Sequence, residues 1–385
     1  MTVTYTKEVA SSHRFGVFWK LLFRWKGSVY KMIWPEIIFF TAIYIILSIL
    51  YRHGLPPTSK ETFEQVALYC RSYVNSIPVT FVLGFYVSLV VTRWWGQFET
   101  LPWPDNLAIL VSNSIQGKDV RTRMMRRTIV RYANLAFTLT LRMISPKMQK
   151  KYPTFDHLIK EGLLLDTEKN ILEDTLQDAD GNIYWVPLTW AVSLIESARE
   201  ERYIKNDLAV QVVVNEINKF RGNCGGLLSY DWISIPLVYT QVVTLAVYSF
   251  LIATVMGRQF LEEKGNTSTG TLDLYIPIFT YFQILFYLGW LKVAESLFNP
   301  FGKDDEDFDV EGLVDRNMRI SYLIADKMMD SHPELHQDKH WDEVFYKQAL
   351  IKNPCKKEKE KVEEDNDESP TNEEKPDFEN VVVSP

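Results

Sequence analysis

"SIPVTFVLGFYVSLVVT", residues 76–92, holds no charged side chain in 17 residues. A helix of that length reaches roughly 25 Å at 1.5 Å per residue, close to the thickness of a bilayer's hydrocarbon layer. Three further stretches share its character: "MIWPEIIFFTAIYIILSIL" (32–50), "ISIPLVYTQVVTLAVYSFLIATVMG" (233–257) and "LYIPIFTYFQILFYLGWL" (274–291). The first carries one acid, Glu36, near its start, and the last ends just before Lys292 and Glu295. Backbone groups in lipid must bond within a helix or in a closed barrel, and no ten-residue alternation of a barrel strand is present. Four transmembrane helices are predicted.

The bulk numbers bound the rest. The 385 residues carry a net charge of -7, of which -5 belongs to residues 352–385, with six lysines against eleven acids. No overall field calls for nucleic acid. Aromatic residues make up 14% of the chain, including 11 Trp and 19 Tyr, which suits anchoring at membrane–water interfaces. Cys70, Cys224 and Cys355 are odd in number and form no C-x-x-C, which argues against a disulfide framework or zinc site. The first twenty residues lack the apolar core of a signal peptide.

Positive charge sets the orientation. Arg14, Lys20, Arg24, Lys26 and Lys31 precede the first span, and Arg93, Lys118, Arg121, Arg123, Arg126, Arg127 and Arg131 follow the second. The connections 51–75 and 258–273, read as short loops, are poorer in Lys and Arg, so both termini and residues 93–232 are expected in the cytosol of a multi-pass cell-membrane protein. The sequon Asn266-Thr267-Ser268 falls in the second outer loop. Between the span pairs, apolar residues recur at helical spacing in "TIVRYANLAFTLTLRMI" and "DLAVQVVVNEINKF". Beyond residue 352 the chain is charged, low in complexity and expected to be disordered.

No catalytic motif is present: no G-x-S-x-G, P-loop or H-E-x-x-H, and no enzyme is expected. His332, His336 and His340 fall at i, i+4 and i+8, but Pro333 and polar neighbours favour a solvated connector over a metal face. An ion-coupled transporter needs an ionisable group at membrane depth, and a cation pore needs a carboxylate ring; neither has a candidate.

In the second span Ile77, Phe81 and Phe85 stand four apart and continue into Ser88 and Thr92, all within an arc of about 80°. That stripe reads as a pore lining or as ordinary helix packing. Pro78 marks the first turn of a helix, whose unpaired N–H groups offer an anion partial positive charge. Four helices leave little room for an axial channel in one subunit, so a pore requires a cyclic oligomer.

After the fourth span, "SLFNPFGKDDEDFD" (296–309) packs Asp304, Asp305, Glu306, Asp307 and Asp309 into six positions. Such a density of hard oxygens suits calcium, although no EF-hand pattern is present. From the residues alone, a solvated acidic cluster at a helix start, where the dipole favours acids, is the preferred account.

"FVLGFYVSLVVTRWWGQFETLPWPD" (81–105), "YDWISIPLVYTQVVTLAVYSF" (230–250), "GWLKVAESLFNPFGKDDEDFD" (289–309) and the opening "MTVTYTKEVA" strongly resemble the bestrophins, calcium-activated anion channels. The resemblance covers about residues 1–330. It implies an all-α, polytopic membrane protein with four transmembrane helical segments per subunit and a helical cytosolic domain, forming a homopentamer around one central pore. Its partners would be chloride, other monovalent anions including bicarbonate, and the lipid bilayer. Carried over singly, Ile77, Phe81 and Phe85 would be the apolar rings of a neck. Leu208, with Ile204 a turn earlier, would form a cytosolic aperture. Calcium would be held by the side chains of Asp304 and Asp307 and the carbonyls of Ala10, Ser296 and Asn299. Ser296 stands where relatives often carry Gln, and Lys303 replaces a common acid.

The implied organisation is a cytosolic N-terminal segment (1–31), a first membrane pair (32–103), a cytosolic helical domain (104–232), a second membrane pair (233–298), an acidic clasp and wrap (299–351) and a disordered tail (352–385). The rival reading is a membrane carrier or scaffold whose cytosolic helices bind partners, with "VRTRMMRRTIVR" (120–131) against anionic lipid.

Overall fold

The structure is a computed structural model that describes residues 3–9, 17–74, 76, 78–179, 181–261, 277–329, 331 and 333–341. Ala10, Ile77, His332, the sequon at Asn266 and the tail 352–385 therefore lie outside the described residues. The chain divides into two units, Met1–Ser331 and His332–Pro385. That division falls inside the stretch 299–351, read from the sequence as an acidic clasp followed by a cytosolic wrap. In the second unit, residues 333–338 are irregular, and the exposed His336 and His340 share no helix face.

Among the described residues all regular structure is helical. Five helices form one bundle: α1 (Val29–Ile49, extended by a π turn Leu50–Gly54), α2 (Pro57–Val74), α3 (Val79–Glu99), α11 (Leu237–Gly257) and α12 (Ile278–Phe298). α3 packs on α11 and α12, while α1 packs on α12 and α11. Val29–Gly54, Val79–Glu99 and Leu237–Gly257 are long and apolar enough to cross a membrane. The fourth expected span is the 21-residue helix α12, but it does not join that set. Tyr281, Gln283, Tyr287, Trp290, Lys292 and Glu295 lower its mean hydropathy.

Polar groups inside this bundle pair across helices, as a low-dielectric setting demands. Thr41 Oγ1 and Tyr281 Oη are 2.7 Å apart, Thr80 Oγ1 and Tyr287 Oη 3.1 Å, and Tyr86 Oη and Thr240 Oγ1 3.1 Å. Lys292 Nζ reaches Glu36 Oε1 and Glu295 Oε2, each at 2.8 Å. Lys292 is thus shared by two carboxylates, which ties the charged ends of the first and fourth apolar stretches together.

The segment 51–75, read as a short loop, contains the 18-residue helix α2. Pro57 stands at its first turn, and Phe63, Ala67 and Val74 are buried at helical spacing. Its mixed polar composition hid it from a search for lipid-grade runs. α2 packs along α11, and Arg71 Nε donates to the Gly257 carbonyl at 3.0 Å.

The remaining helices build a second core around α5 (Val120–Ile144), with α4 (Asp105–Ser114), α6 (Pro146–Lys151), α7 (Phe155–Lys160), α8 (Asp166–Asp178), α9 (Val186–Glu200), α10 (Asp207–Trp232) and α13 (Val310–Leu323). Side chains start the long ones: Asp119 accepts from the Thr122 amide, Asn206 Oδ1 from Ala209 at 2.7 Å, and Asp309 from Gly312. A buried ion pair fastens α8 to α5. Glu168 Oε1 and Oε2 accept from Arg131 Nη2 and Nη1 at 2.6 and 2.7 Å, with Tyr132 Oη at 2.9 Å and the Leu165 amide at 3.0 Å completing the carboxylate. Burial raises the Glu168 pKa, but Arg131 outweighs it and holds the carboxyl below the usual range. Glu168→Gln leaves Arg131 buried with its counter-charge gone, and should cost about 3 kcal/mol. A melting temperature unchanged from the parent's would show that the pair does not support this core.

The arginines of the basic run are committed within the chain. Arg121 pairs with Glu201, Arg123 and Arg127 with Asp326, and Arg131 with Glu168. Arg126 is buried and donates to the carbonyls of Ile115, Gly117 and Ala325. Asp326 lies in the π turn Ile324–Met328 that follows α13, so these contacts seat the end of the first unit on α5.

Candidate pore face and cation site

α3 is two-sided. Val79, Leu83, Tyr86, Val87 and Val90 are buried against α11 and α12. On the other side Phe81, Phe85, Ser88, Thr92, Trp95 and Glu99 are all exposed in the single chain, within an arc of about 80°. Phe81 is 67% and Phe85 59% exposed, and their rings meet edge-on with centroids 4.8 Å apart. The stripe is free of charge from Phe81 to Trp95 and ends on Glu99, whose Oε1 accepts from Trp95 Nε1 at 2.8 Å. An exposed row of phenylalanines along a helix otherwise packed on two neighbours is an unfinished surface. Pro78 is the N-cap, and the first-turn N–H groups of α3 have no acceptor within the helix.

The second candidate is the loop between α12 and α13. Asn299 ends α12, and Asp309 begins α13. Between them the chain folds back on itself: Phe308 N donates to Pro300 O at 2.8 Å, and Asp304 N donates to Asp307 Oδ2 at 2.5 Å. Asp307 is only 3% exposed, and burial pushes its carboxyl up to about 6. A Cβ placed on Gly302 would stand 2.9 Å from Asp307 Oδ2 and 3.3 Å from the Asn299 carbonyl oxygen. The Asp307 carboxylate and the Asn299 carbonyl thus both border the open side of Gly302. Asp304 is exposed beside them, and Ser296 lies one turn earlier on α12.

The rest of the acid run has protein partners far away in sequence. Asp305 Oδ2 accepts from Lys31 Nζ at 2.6 Å and from the Gly27 amide at 3.1 Å, and these contacts hold its carboxyl below the ordinary range. Glu306 rests against Gly27, and burial followed by the nearby Asp305 raises its carboxyl. Gly27 has φ +71, and a side chain there would collide with the Glu306 carboxylate. Gly27→Ala therefore meets backbone strain and pushes the flexible Glu306 carboxylate aside, and the strain should lower stability by roughly 1–2 kcal/mol. Faster proteolysis at residues 299–309 would accompany it if the loop is displaced; unchanged melting and proteolysis would mean the Gly27 contact is dispensable.

Other expected site residues separate. Leu208 is 73% exposed near the start of α10. Ile204 does not stand a helical turn before it: it lies in the connection ahead of α10 and is fully buried in the second core. The residues 205–207 include the cap Asn206, which starts the helix only after Ile204 has turned inward. The motif reading also missed Gly27 and Lys31, and the aromatic pair Phe301 and Phe308, both buried beneath the acid loop. Two phenylalanines flanking four carboxylates were the available signal, since apolar rings in a charged loop require a seat.

The family model described as "Bestrophin, RFP-TM, chloride channel" matches residues 1–327. The chain belongs to the bestrophin family. Mouse bestrophin-2 is 48% identical over 342 residues, covering 89% of this chain and 67% of that protein. Human bestrophin-1 is 46% identical over 342 residues, and the chain spans 58% of its length. Among solved structures, a single-residue variant of a bacterial bestrophin homologue from Klebsiella pneumoniae aligns with a TM-score of 0.58 at 19% identity, covering 75% of this chain and 99% of that one. A structure of the same bacterial homologue phased on zinc gives 0.57 at 20% identity, over 77% and 100%. At such identity these structures bear on the fold, and they place the all-helical arrangement among the bestrophins.

Proposed function

We propose that this bestrophin is a subunit of a calcium-activated anion channel whose gate is the Ile77, Phe81 and Phe85 stretch. The observation that carries this reading is the exposed, uncharged stripe of α3 from Phe81 to Thr92. Five copies arranged in a ring would bring five such stripes to one axis, which gives each exposed Phe81 and Phe85 a partner. A pore lined this way lets weakly hydrated anions such as chloride, and bicarbonate with them, pass without a fixed counter-charge. The apolar rings close it by excluding water. Leu208 is the candidate for a second constriction; Ile204, being buried, is not. Both termini are placed in the cytosol of a cell-membrane channel, following the Lys and Arg distribution.

The oxygen donors of the acid loop fit calcium, which accepts carboxylates and carbonyls together. Asp304 and Asp307 would supply side-chain oxygens, and Ser296 and Asn299 carbonyls, with Ala10 completing the set. Bound calcium would supply positive charge that offsets the cost of burying ionised Asp307. Asp305 serves a different end, tying the loop to the start of α1 through Lys31 and Gly27. Gating needs two arrangements of α3, one with Phe81 and Phe85 closing the axis and one with them withdrawn. Their populations shift if the clasp is better formed in the second.

Liposomes containing the purified chain alone should lose trapped chloride at micromolar free calcium and show unitary current steps. Vesicles that stay sealed would end the channel reading. The carrier or scaffold alternative gains nothing from the basic run, whose arginines are engaged by Glu201, Asp326, Glu168 and backbone carbonyls.

A further inference from the structure

The acid loop presents two kinds of side chain to two different helices. Asp305 grips the start of α1, whereas Phe301 and Phe308 turn the other way and are 3% and 4% exposed. Their rings meet edge-on at 5.6 Å. Phe308 also lies 5.4 Å from the Trp94 ring and 5.5 Å from the Phe98 ring. Trp94 and Phe98 are one turn apart on the C-terminal end of α3, and Trp94 follows Phe85 by nine residues, ~13 Å along the helix axis.

The backbone that carries the two rings is held. Its amide closes the loop on Pro300 at 2.8 Å, and Ser145 Oγ pins the Phe301 carbonyl at 2.8 Å. Asp307 immediately precedes Phe308, so a backbone shift that re-aims the Asp307 carboxylate is passed on to the Phe308 ring. A close-packed ring also cannot shift without displacing its neighbours or opening a void.

We propose that Phe308 is the positioning residue that couples the acid loop to α3, through its seat on Trp94 and Phe98. This rests on the calcium and neck reading above. A rearrangement at Asp304 and Asp307 displaces the Phe308 ring, and the ring carries the C-terminal end of α3 with it, on the helix that bears Phe81 and Phe85. The competing route runs along the chain through Asn299 into α12, which also packs on α3. Removing the ring interrupts the first route and leaves the second whole.

The test needs no current. Hydrogen exchange of the full-length protein in detergent is followed with calcium and with chelator, at residues 299–309 and at residues 93–100. In the parent, calcium slows exchange at both. In Phe308→Leu the slowing at 299–309 should persist while that at 93–100 falls by about fivefold or more, the usual scale of coupling between sites. Phe308→Tyr, which keeps the ring, should restore it. Trp94→Phe gives the same comparison from the helix side if Phe308→Leu does not fold, and combining the two should lose no more than the larger single effect. Undiminished slowing at 93–100 in both Phe308→Leu and Trp94→Phe overturns the coupling and leaves the cation site standing. No calcium effect at 299–309 in the parent removes the cation site, and the coupling with it.

Discussion

Asp304→Ala should abolish calcium activation in patch recordings, or move the calcium dose response to higher concentration by about one to two decades. Asp304 is exposed beside the buried Asp307, and its amide already donates to Asp307 Oδ2, so the substitution removes a carboxylate while leaving that backbone bond in place. The loop should stay folded, because its anchors are Lys31, Gly27, Ser145 and the aromatic seat under Phe308. The loss would then report on charge rather than on unfolding. An unchanged dose response would remove the clasp, and leave the acid run as a docking element for α1.

Replacing Ile77, Phe81 and Phe85 together with Ala should produce anion current that persists in chelator. Phe81 and Phe85 already stand outside the core of their own subunit, so truncating them opens no cavity in it. The expected cost to folding is small, and the expected effect on conduction is large, because a dewetted constriction depends on apolar bulk at the axis. The buried face at Leu83, Tyr86, Val87 and Val90 is untouched and keeps α3 on α11 and α12. A triple variant that still closes without calcium would move the gate elsewhere, with Leu208 the next residue to truncate.

Apolar run length and the four quoted motifs suffice to locate the apolar stretches, the helical fold class and the bestrophin family. Lipid acts on composition residue by residue, so the stretches around 32–50, 76–92 and 233–257 are legible locally. The stripe on α3 was legible for the same reason: helical phase follows from spacing alone. Helix α2 was not, because its polar face looks like loop composition and its partner, α11, lies about 180 residues away. Ile204 looked like a neighbour of Leu208 by position, but the cap at Asn206 separates the two and burial settles where each faces. Which carboxylates of the acid run meet Lys31, which one is buried, and which rings lie beneath them are decided by contacts spanning more than 200 residues. No local pattern encodes such pairings. They exist only once the start of α1, the end of α3 and the loop after α12 have been brought to one place by the packing of the helices between them.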